Sequence, residues 1–186
     1  MRLFIAVDLD KENKKNLSSL IYELGEIEGK IKWVTLENIH LTLKFIGNTQ
    51  ENAIEKIRAI ISDTVKKYSL FKMGLSGLGC FPNIKHPSVF WVGIKEGKGH
   101  LASLAKDLDE ALSKIGLEKE KKDFSAHVTL ARIDFLKNIN LFQEKISKID
   151  FSSKKLIDVA EVLLFESILT PRGPIYKKLF SFPLNR

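Results

Sequence analysis

The chain has 186 residues, 44% of which are hydrophobic, and it carries a formal net charge of +7 at pH 7. It is long enough to bury a sizeable core, and its single cysteine, Cys80, excludes an internal disulfide framework and suits a reducing cytoplasm. No segment approaches the roughly 20 apolar residues of a membrane span. The sequence therefore predicts a cytoplasmic protein without a membrane partner, and the positive charge permits an anionic partner such as RNA or a nucleotide.

In the first half of the chain, hydrophobic patterning predicts strands and helices in alternation. Apolar residues recur at helical spacing in two segments, and strands are indicated by apolar or β-branched runs bounded by glycine, asparagine or proline. In chain order the predictions are a strand over 3–7, a helix over 11–24, a strand ending near 46, a helix over 51–67, and strands over 71–81 and 88–94.

The second half repeats this pattern of elements. The predictions are a helix over 101–115, a charged loop over 118–123, a strand over 124–133, a short helix over 138–146, strands over 156–165 and 176–182, and a turn over 170–174. Because strands and helices are mixed in both halves, we expect an α+β fold in a single bilobal domain spanning 1–186. The lobes should be related by an approximate two-fold axis, with antiparallel sheets lining a central cleft and helices outside.

One four-residue phrase occurs twice, as His40-Leu-Thr-Leu43 and as His127-Val-Thr-Leu130. The chain has only four histidines, so the probability that the phrase repeats by chance is low. In a strand, residues i and i+2 point to the same face and residues i+1 and i+3 to the other. Each phrase therefore presents an imidazole beside a hydroxyl group, while its two apolar residues anchor the strand from behind.

Paired imidazoles and hydroxyls are suited to phosphodiester chemistry. In-line cleavage needs a base on the attacking oxygen and an acid on the leaving oxygen, and an imidazole with a pKa of about 6.5 can serve as either. The hydroxyls of Thr42 and Thr129 would hold the non-bridging oxygens. Neither His40 nor His127 has a further His, Cys or carboxylate at ligand spacing, so we predict no metal and no other cofactor.

Two cations near the motifs are candidate phosphate ligands. Lys44 lies four residues after His40, so strand alternation predicts that it shares the face of that histidine. Arg132 lies five residues after His127, so alternation alone puts it on the opposite face, and it joins the site only if the strand bulges. Three aromatic residues could stack a nucleobase, although core packing is the commoner role for each of them: Trp33, Phe45 and Phe81.

These motifs resemble those of the 2H phosphoesterase superfamily and, within it, of the RNA 2′,3′-cyclic phosphodiesterases, also called 2′-5′ RNA ligases. The resemblance runs nearly end to end, and the two histidine motifs are its specific part. It covers residues 2–8, 33–34, 38–47, 81–82, 89–93, 126–132 and 173–176. The fold that the resemblance implies is bilobal and α+β, with a central cleft.

The resemblance also implies metal-independent hydrolysis of a 2′,3′-cyclic phosphate at an RNA end to a 2′-phosphate. In that reaction His40 and His127 would be the acid–base pair, while Thr42, Thr129 and Arg132 would hold phosphate oxygens. Because O3′ is the leaving group, we assign His40 as proton donor and His127 as proton acceptor, although the sequence leaves the reverse assignment open. The implied partners are RNA ends, among them tRNA halves that such proteins can join by the reverse reaction, or nucleotides, bound by a monomer.

Two other interpretations stay open at this point. The chain could be a module that binds RNA or a nucleotide in the same cleft without turnover, or a 2H phosphoesterase that acts on another small cyclic or 2′-5′ phosphodiester. Intact His-x-Thr pairs in both halves favour an enzyme, because a binding module has no need of two titratable groups.

Overall fold

The computed structural model describes residues 1–171 and 173–186. Within these residues it contains ten strands, four helices and two short 3-10 turns. In chain order the elements are β1 (Arg2–Asp8), α1 (Lys11–Leu24), β2 (Gly29–Trp33), β3 (His40–Asn48), α2 (Ile54–Val65), β4 (Phe71–Met73), β5 (Leu75–Asn83), β6 (His86–Ile94), α3 (Lys98–Ser113), β7 (His127–Leu136), α4 (Ile139–Ser147), β8 (Ile157–Val159), β9 (Glu161–Thr170) and β10 (Gly173–Pro183).

The two halves follow one order of elements, as the sequence predicted. Each half runs in the order strand, helix, strand, helix, short strand, long strand. In the first half these elements are β1, α1, β3, α2, β4 and β5. The second half repeats this order as β6, α3, β7, α4, β8 and β9. The first half has β2 as an additional strand and the second half has β10, so the repetition is approximate.

One hydrogen-bonded path runs through both halves. Eight strands form a sheet in the order β10-β9-β1-β3-β7-β6-β5, and β2 pairs with β7 beside this path. Every pairing in it is antiparallel. The halves exchange strands, because β9 of the second half pairs with β1 of the first, and β5 of the first half pairs with β6 of the second. The short strands β4 and β8 pair with each other in a separate two-stranded sheet.

The hydrophobic core lies between the sheet and the helices. Helices α2 and α3 pack against each other, and α3 also contacts β3. Their apolar stripes are buried, as the helical spacing predicted, except that Ile54 at the start of α2 is only partly buried. Each fully buried side chain stabilises the fold by about 1.5–3 kcal/mol. The buried members of these stripes are Ile57, Ile61 and Val65 of α2, and Leu101, Leu104, Leu108 and Leu112 of α3.

Side-chain caps fix where two of the helices begin. A carboxylate oxygen of Asp10 accepts a hydrogen bond from the backbone N–H of Asn13 at 2.9 Å, and the side chain of Asn138 accepts from the backbone N–H of Leu141 at 3.0 Å. Each cap satisfies a backbone donor that the first turn of a helix leaves unpaired. Helix α1 therefore begins directly after β1, close to the end of the sheet where both motifs lie.

The element boundaries differ from the predictions at several places. The helix predicted over 51–67 begins with a 3-10 turn, the strand predicted over 71–81 is divided between β4 and β5, and β2 was not separated from β3. The predicted turn over 170–174 includes residue 172, which lies outside the described residues. Among the described residues, none of the helices is both long and apolar enough to cross a membrane.

Candidate active site

The two histidine motifs begin adjacent antiparallel strands. Strand β3 starts at His40, strand β7 starts at His127, and the two strands pair through Leu41 opposite Val128. This register sets each histidine diagonally across the strand pair from the other, beside the threonine of the facing motif. The apolar residues of both motifs are fully buried, while both histidines and both threonines are partly exposed on the opposite face. That face is the cleft predicted from the sequence.

Both imidazole rings are oriented by the same backbone contact. Nδ1 of His40 lies 2.7 Å from the carbonyl oxygen of Asn38, and Nδ1 of His127 lies 2.6 Å from that of Ser125. A carbonyl oxygen only accepts hydrogen bonds, so Nδ1 carries the proton in each neutral ring. Nε2 of each ring is then the atom that gains or loses a proton.

The second ring nitrogen distinguishes the two histidines. Nε2 of His40 lies 3.0 Å from Oγ1 of Thr42, within hydrogen-bond distance. Within the part of the chain that the structure describes, Nε2 of His127 has no hydrogen-bond partner. The first imidazole is therefore held at both nitrogens, whereas the second presents an unengaged base to the cleft.

The pKa of each imidazole is lowered, chiefly because burial disfavours its charged form. At His40 the carbonyl of Asn38 and the carboxylate of Asp8 raise the pKa and so oppose the effect of burial, while Lys14 lowers the pKa further. At His127 the carbonyl of Ser125 raises the pKa and Arg132 lowers it further. Near neutral pH both rings of the unliganded protein are therefore mostly uncharged.

A β-bulge follows the threonine in each motif. The pairing of β1 with β3 passes from Ala6 opposite Thr42 to Ile5 opposite Lys44, which skips Leu43. Leu43 and Lys44 are consequently both buried, so the side-chain alternation changes phase between them. After the bulge it is Phe45 that shares the face of Thr42.

The bulge makes the prediction for Lys44 wrong. Its side chain is only 1% exposed and points away from the cleft. Nζ donates hydrogen bonds to a carboxylate oxygen of Asp109 at 2.5 Å and to the carbonyl oxygen of Glu118 at 2.9 Å. The prediction assumed that side chains alternate along an unbroken strand. The extra residue in the bulge instead turns Lys44 to the face of the sheet that packs against α3.

The same irregularity brings Arg132 to the cleft face, which satisfies the condition set from the sequence. The pairing of β6 with β7 passes from Trp91 opposite Thr129 to Phe90 opposite Ala131, so Leu130 is skipped. Arg132 is exposed, and its charge lowers the pKa of both His127 and Tyr176. The guanidinium is therefore close enough to the cleft to act on groups beside both histidines, since Tyr176 lies next to His40.

The three aromatic residues singled out in the sequence lie in different environments. The ring of Phe81 is edge-on to the ring of His127, with 5.0 Å between centroids. Phe45 is 55% exposed on the cleft face. Trp33 is opposite Ala131 and packs edge-on against the buried ring of Phe90, so it has the core-packing role that was the commoner of its two alternatives and not the stacking role. The bulge in β7 turns Ala131, and with it Trp33, toward the core.

Sequence reasoning missed several cleft residues on the first-half side. The ring of Phe4 lies 5.0 Å from that of His40, and the ring of Tyr176 lies 5.2 Å from it at an interplanar angle of 90°. Burial raises the pKa of the Tyr176 hydroxyl, against the opposing charges of Arg132 and Arg2. Both residues lie in stretches that resemble the family, Phe4 within 2–8 and Tyr176 within 173–176, and that resemblance was the available signal.

Trp91 was missed on the second-half side. Its ring lies 5.1 Å from that of Phe81 and 6.2 Å from that of His127. A Cβ atom at Gly79 would lie 2.4 Å from two carbons of this indole, so glycine is required for the ring to lie against β5. Within residues 1–171 and 173–186, no three His, Cys, Asp or Glu side chains are grouped as ligands for a metal ion.

Two segments of the chain, residues 7–91 and 92–176, each match the family described as LigT like Phosphoesterase. The chain belongs to this family. The first segment contains the His40 motif and the second contains the His127 motif, so each match carries one of the two histidines. The membership predicted from the sequence is thereby confirmed.

Relatives and solved structures match the whole length. An RNA 2′,3′-cyclic phosphodiesterase of Archaeoglobus fulgidus is 38% identical over 182 residues, which cover 98% of this chain and 99% of that protein. One of Methanothermobacter thermautotrophicus is 33% identical over 184 residues, covering 99% of each. The crystal structure of the protein TT0787 of Thermus thermophilus superposes with a TM-score of 0.85 at 27% identity, covering 99% of this chain and 98% of that one. The predicted α+β fold is confirmed.

Proposed function

We propose that the protein hydrolyses a 2′,3′-cyclic phosphate at an RNA end to a 2′-phosphate. The observation that carries this proposal is the pair of imidazoles on adjacent strands, each with Nδ1 fixed on a backbone carbonyl and Nε2 left as the titrating atom. Two such groups set diagonally across a strand pair can act on opposite sides of one phosphorus atom. The relatives named above are called RNA 2′,3′-cyclic phosphodiesterases, which supports this substrate class.

The reaction needs one proton removed and one proton delivered. Nε2 of His127 takes a proton from water as the water oxygen attacks phosphorus. The P–O3′ bond breaks in line, and the imidazolium of His40 delivers its proton from Nε2 to O3′. The product retains the P–O2′ bond as a 2′-phosphomonoester, and proton exchange with solvent restores both rings.

The charges beside the two rings support this assignment of roles. Asp8 lies opposite His40 in the strand register and favours the imidazolium form that an acid requires. Lys14 pairs with that carboxylate at 2.7 Å and offsets part of the attraction. Arg132 disfavours a positive charge on His127, which keeps that ring available as a base.

The remaining cleft groups would stabilise the transition state. The hydroxyls of Thr42 and Thr129 lie on the cleft face beside the rings and would donate to the non-bridging oxygens, where negative charge develops. Arg132 would add a guanidinium on the same side, and fixed donors of this kind typically contribute about 10²–10³ in rate. Phe81 and Phe45 are positioned on the cleft face as candidate stacking partners for a base.

We further propose that the enzyme acts as a monomer in the cytoplasm and requires no metal, because the two imidazoles already supply both the acid and the base. Joining of RNA ends through a 2′-5′ bond would be the same chemistry in reverse, with a ribose hydroxyl as the nucleophile. Because water is abundant, hydrolysis should dominate. Light scattering after gel filtration would test the monomeric state.

The direct test is incubation of the purified protein with an RNA that ends in a 2′,3′-cyclic phosphate, in the presence of EDTA. We expect a 2′-phosphate product, resolved chromatographically from the 3′-phosphate isomer, and its loss in the His40→Ala and His127→Ala variants. A folded protein that binds the RNA without forming product would instead indicate a binding module. A 3′-phosphate product would overturn the assignment of the leaving group.

A further inference from the structure

Because the two halves repeat the same order of elements, β2 should have a counterpart in the second half. The segment at that position is a loop and not a strand. The two motifs are 87 residues apart, so β2 (Gly29–Trp33) corresponds to residues 116–120. Both segments follow the first helix of their half and precede its motif. Strand β2 pairs with the later part of β7, with Ile31 opposite Ile133 and Lys32 opposite Arg132. The flank of β7 is therefore covered by a hydrogen-bonded strand.

The corresponding flank of β3 is not covered by a strand. Residues 116–120 form no strand, and in the described part of the chain no backbone hydrogen bond joins them to β3. Side chains hold this loop in place instead. Nζ of Lys44 donates to the carbonyl oxygen of Glu118 at 2.9 Å, and the backbone N–H of Glu120 donates to a carboxylate oxygen of Asp109 at 3.1 Å. The loop is thus fixed beside β3 while the edge of that strand stays open.

A groove of about 430 Å³ lies between the open edge of β3 and this loop, lined by Phe45, Ile46 and Gly47 and by residues 118–122. Phe45 belongs both to this groove and, after the bulge in β3, to the face of the sheet that carries Thr42. Phe45 is 55% exposed, and its ring lies 6.2 Å from that of Phe4, which in turn lies 5.0 Å from the ring of His40. A ligand that leaves the cleft along β3 therefore meets an exposed aromatic ring first and the loop next.

Residues 118–122 comprise three lysines and two glutamates, so the loop adds a net charge of +1 to this aromatic surface. Lys121 shares its charge with Glu118 at 3.2 Å. Lys119 and Lys122 form no salt bridge among the described residues, although Lys119 acts at longer range on Asp109. A free strand edge could also accept an extended peptide. Unpaired ammonium groups beside an exposed aromatic ring favour a nucleic acid strand, because bases stack on aromatic rings and phosphates attract cations.

We propose that this groove binds the nucleotides immediately 5′ of the terminal cyclic phosphate, so that the enzyme prefers an RNA chain to a mononucleotide. This inference rests on the proposed function, since it takes the terminal phosphate to lie between His40 and His127. A base stacks on Phe45, and the phosphates that follow pair with Lys119 and Lys122. The loop of the second half thus binds the RNA chain, whereas the first half has the strand β2 at the corresponding position.

The test compares two substrates in the double variant Lys119→Gln/Lys122→Gln. One is 2′,3′-cyclic AMP, and the other is a short RNA oligonucleotide that ends in a 2′,3′-cyclic phosphate. We expect the ratio of kcat/KM for the oligonucleotide to that for the mononucleotide to fall about tenfold. The slope of log(kcat/KM) against log[salt] for the oligonucleotide should lose about 1.4, because each single-strand phosphate contact contributes about 0.7. The Phe45→Ala variant should lower the same ratio about tenfold through lost stacking.

A matched control is Lys66→Gln/Lys67→Gln, which removes two exposed lysines at the end of α2 and should leave the ratio unchanged. An unchanged ratio in the Lys119→Gln/Lys122→Gln variant would overturn the RNA assignment and leave a peptide as the occupant of the groove. If the wild-type protein hydrolyses neither substrate, the proposed function fails separately. Fluorescence anisotropy of the same oligonucleotide then tests the groove alone, and equal binding by wild type and variant would overturn it.

Discussion

The two halves of the cleft share one backbone plan but differ in what lies beside each histidine. Across the strand pair from His40 lies Asp8, whereas the same position beside His127 is occupied by Gly93. After the bulge, the first half presents Phe45 to the cleft and the second half presents Arg132. One ring therefore has a carboxylate neighbour and the other has a guanidinium neighbour. A repeated motif has in this way produced two groups with opposite electrostatic surroundings, as an acid and a base require.

The packing beneath the cleft differs as well. In the row of the threonines, the first half has Ala6 and Leu163, and the second half has Trp91 opposite Gly79. The pair Ala6 and Leu163 in the first row thus corresponds to Trp91 and Gly79 in the second, where a large ring lies against a residue without a side chain. Only the row beside Thr129 therefore has an aromatic ring. The comparison teaches that the motifs set the chemistry, while the neighbouring strands make each half of the cleft different.

The largest expected effect comes from removing either imidazole. We expect His40→Ala and His127→Ala each to lower single-turnover hydrolysis of the cyclic phosphate by about 10³–10⁴, because general acid–base catalysis contributes up to that range. The far-ultraviolet circular dichroism of both variants should match the wild type, since both rings lie on the cleft face. Retention of more than a tenth of the rate in either variant would contradict a two-histidine mechanism.

Next in size is the loss of the guanidinium beside His127. We expect Arg132→Gln to lower kcat/KM about 100-fold, because one fixed donor to a developing oxyanion is typically worth 10²–10³. The same change should raise the pKa of His127, since Arg132 holds it down. The pH profile of kcat/KM should peak below about pH 6.5 in the wild type, because burial lowers the pKa of both rings. The limb assigned to His127 should move to higher pH in Arg132→Gln, and Arg132→Lys should restore its position.

A third comparison concerns the residue that directly follows the skipped leucine of each bulge and faces the core. It is Lys44 in the first half and Ala131 in the second. We expect Lys44→Met to lower the free energy of unfolding by about 3 kcal/mol, because it leaves Asp109 without its buried partner. The carboxylate of Asp109 is 17% exposed, so water offsets part of the loss. The double variant Lys44→Met/Asp109→Leu should recover most of the stability in urea unfolding. Additive losses in that double variant would mean that the ion pair does not couple the two residues.

The smallest expected effect comes from the carboxylate beside His40. We expect Asp8→Asn to lower the pKa of that ring further, because the carboxylate favours its charged form. The shift should reduce kcat by a few-fold above the pH optimum, where a protonated acid is already scarce. Asp8 also pairs with Lys14, so the variant Lys14→Met serves as the opposite control and should raise the pKa of His40. A pH profile that does not move in Asp8→Asn would remove the carboxylate from the mechanism.

The sequence contained the order of elements and the placement of both motifs, because local hydrophobic spacing determines each of these. It did not contain the bulges, which depend on how one strand pairs with another. The error on Lys44, the open choice for Trp33 and the condition attached to Arg132 all arise from this single cause. Strand β2 was missed for a related reason, since Gly29–Trp33 finds its partner on β7, about a hundred residues away. Contacts of this range leave no local pattern to read.

The exchange of strands between the halves has a consequence for how such a protein could have arisen and how it could be divided. A single half would lack one of the two neighbours of its first strand, because β1 pairs with β9 as well as β3, and β6 pairs with β5 as well as β7. A half-length chain with the same pairing would therefore form an intertwined homodimer, with two equivalent histidines related by its symmetry axis. Joining two such copies in one chain would let the residues beside each histidine differ, as Asp8 and Gly93 do. The two-residue connection 84–85 between β5 and β6 separates the two halves of the chain. Two fragments divided there should regain activity only when they fold together.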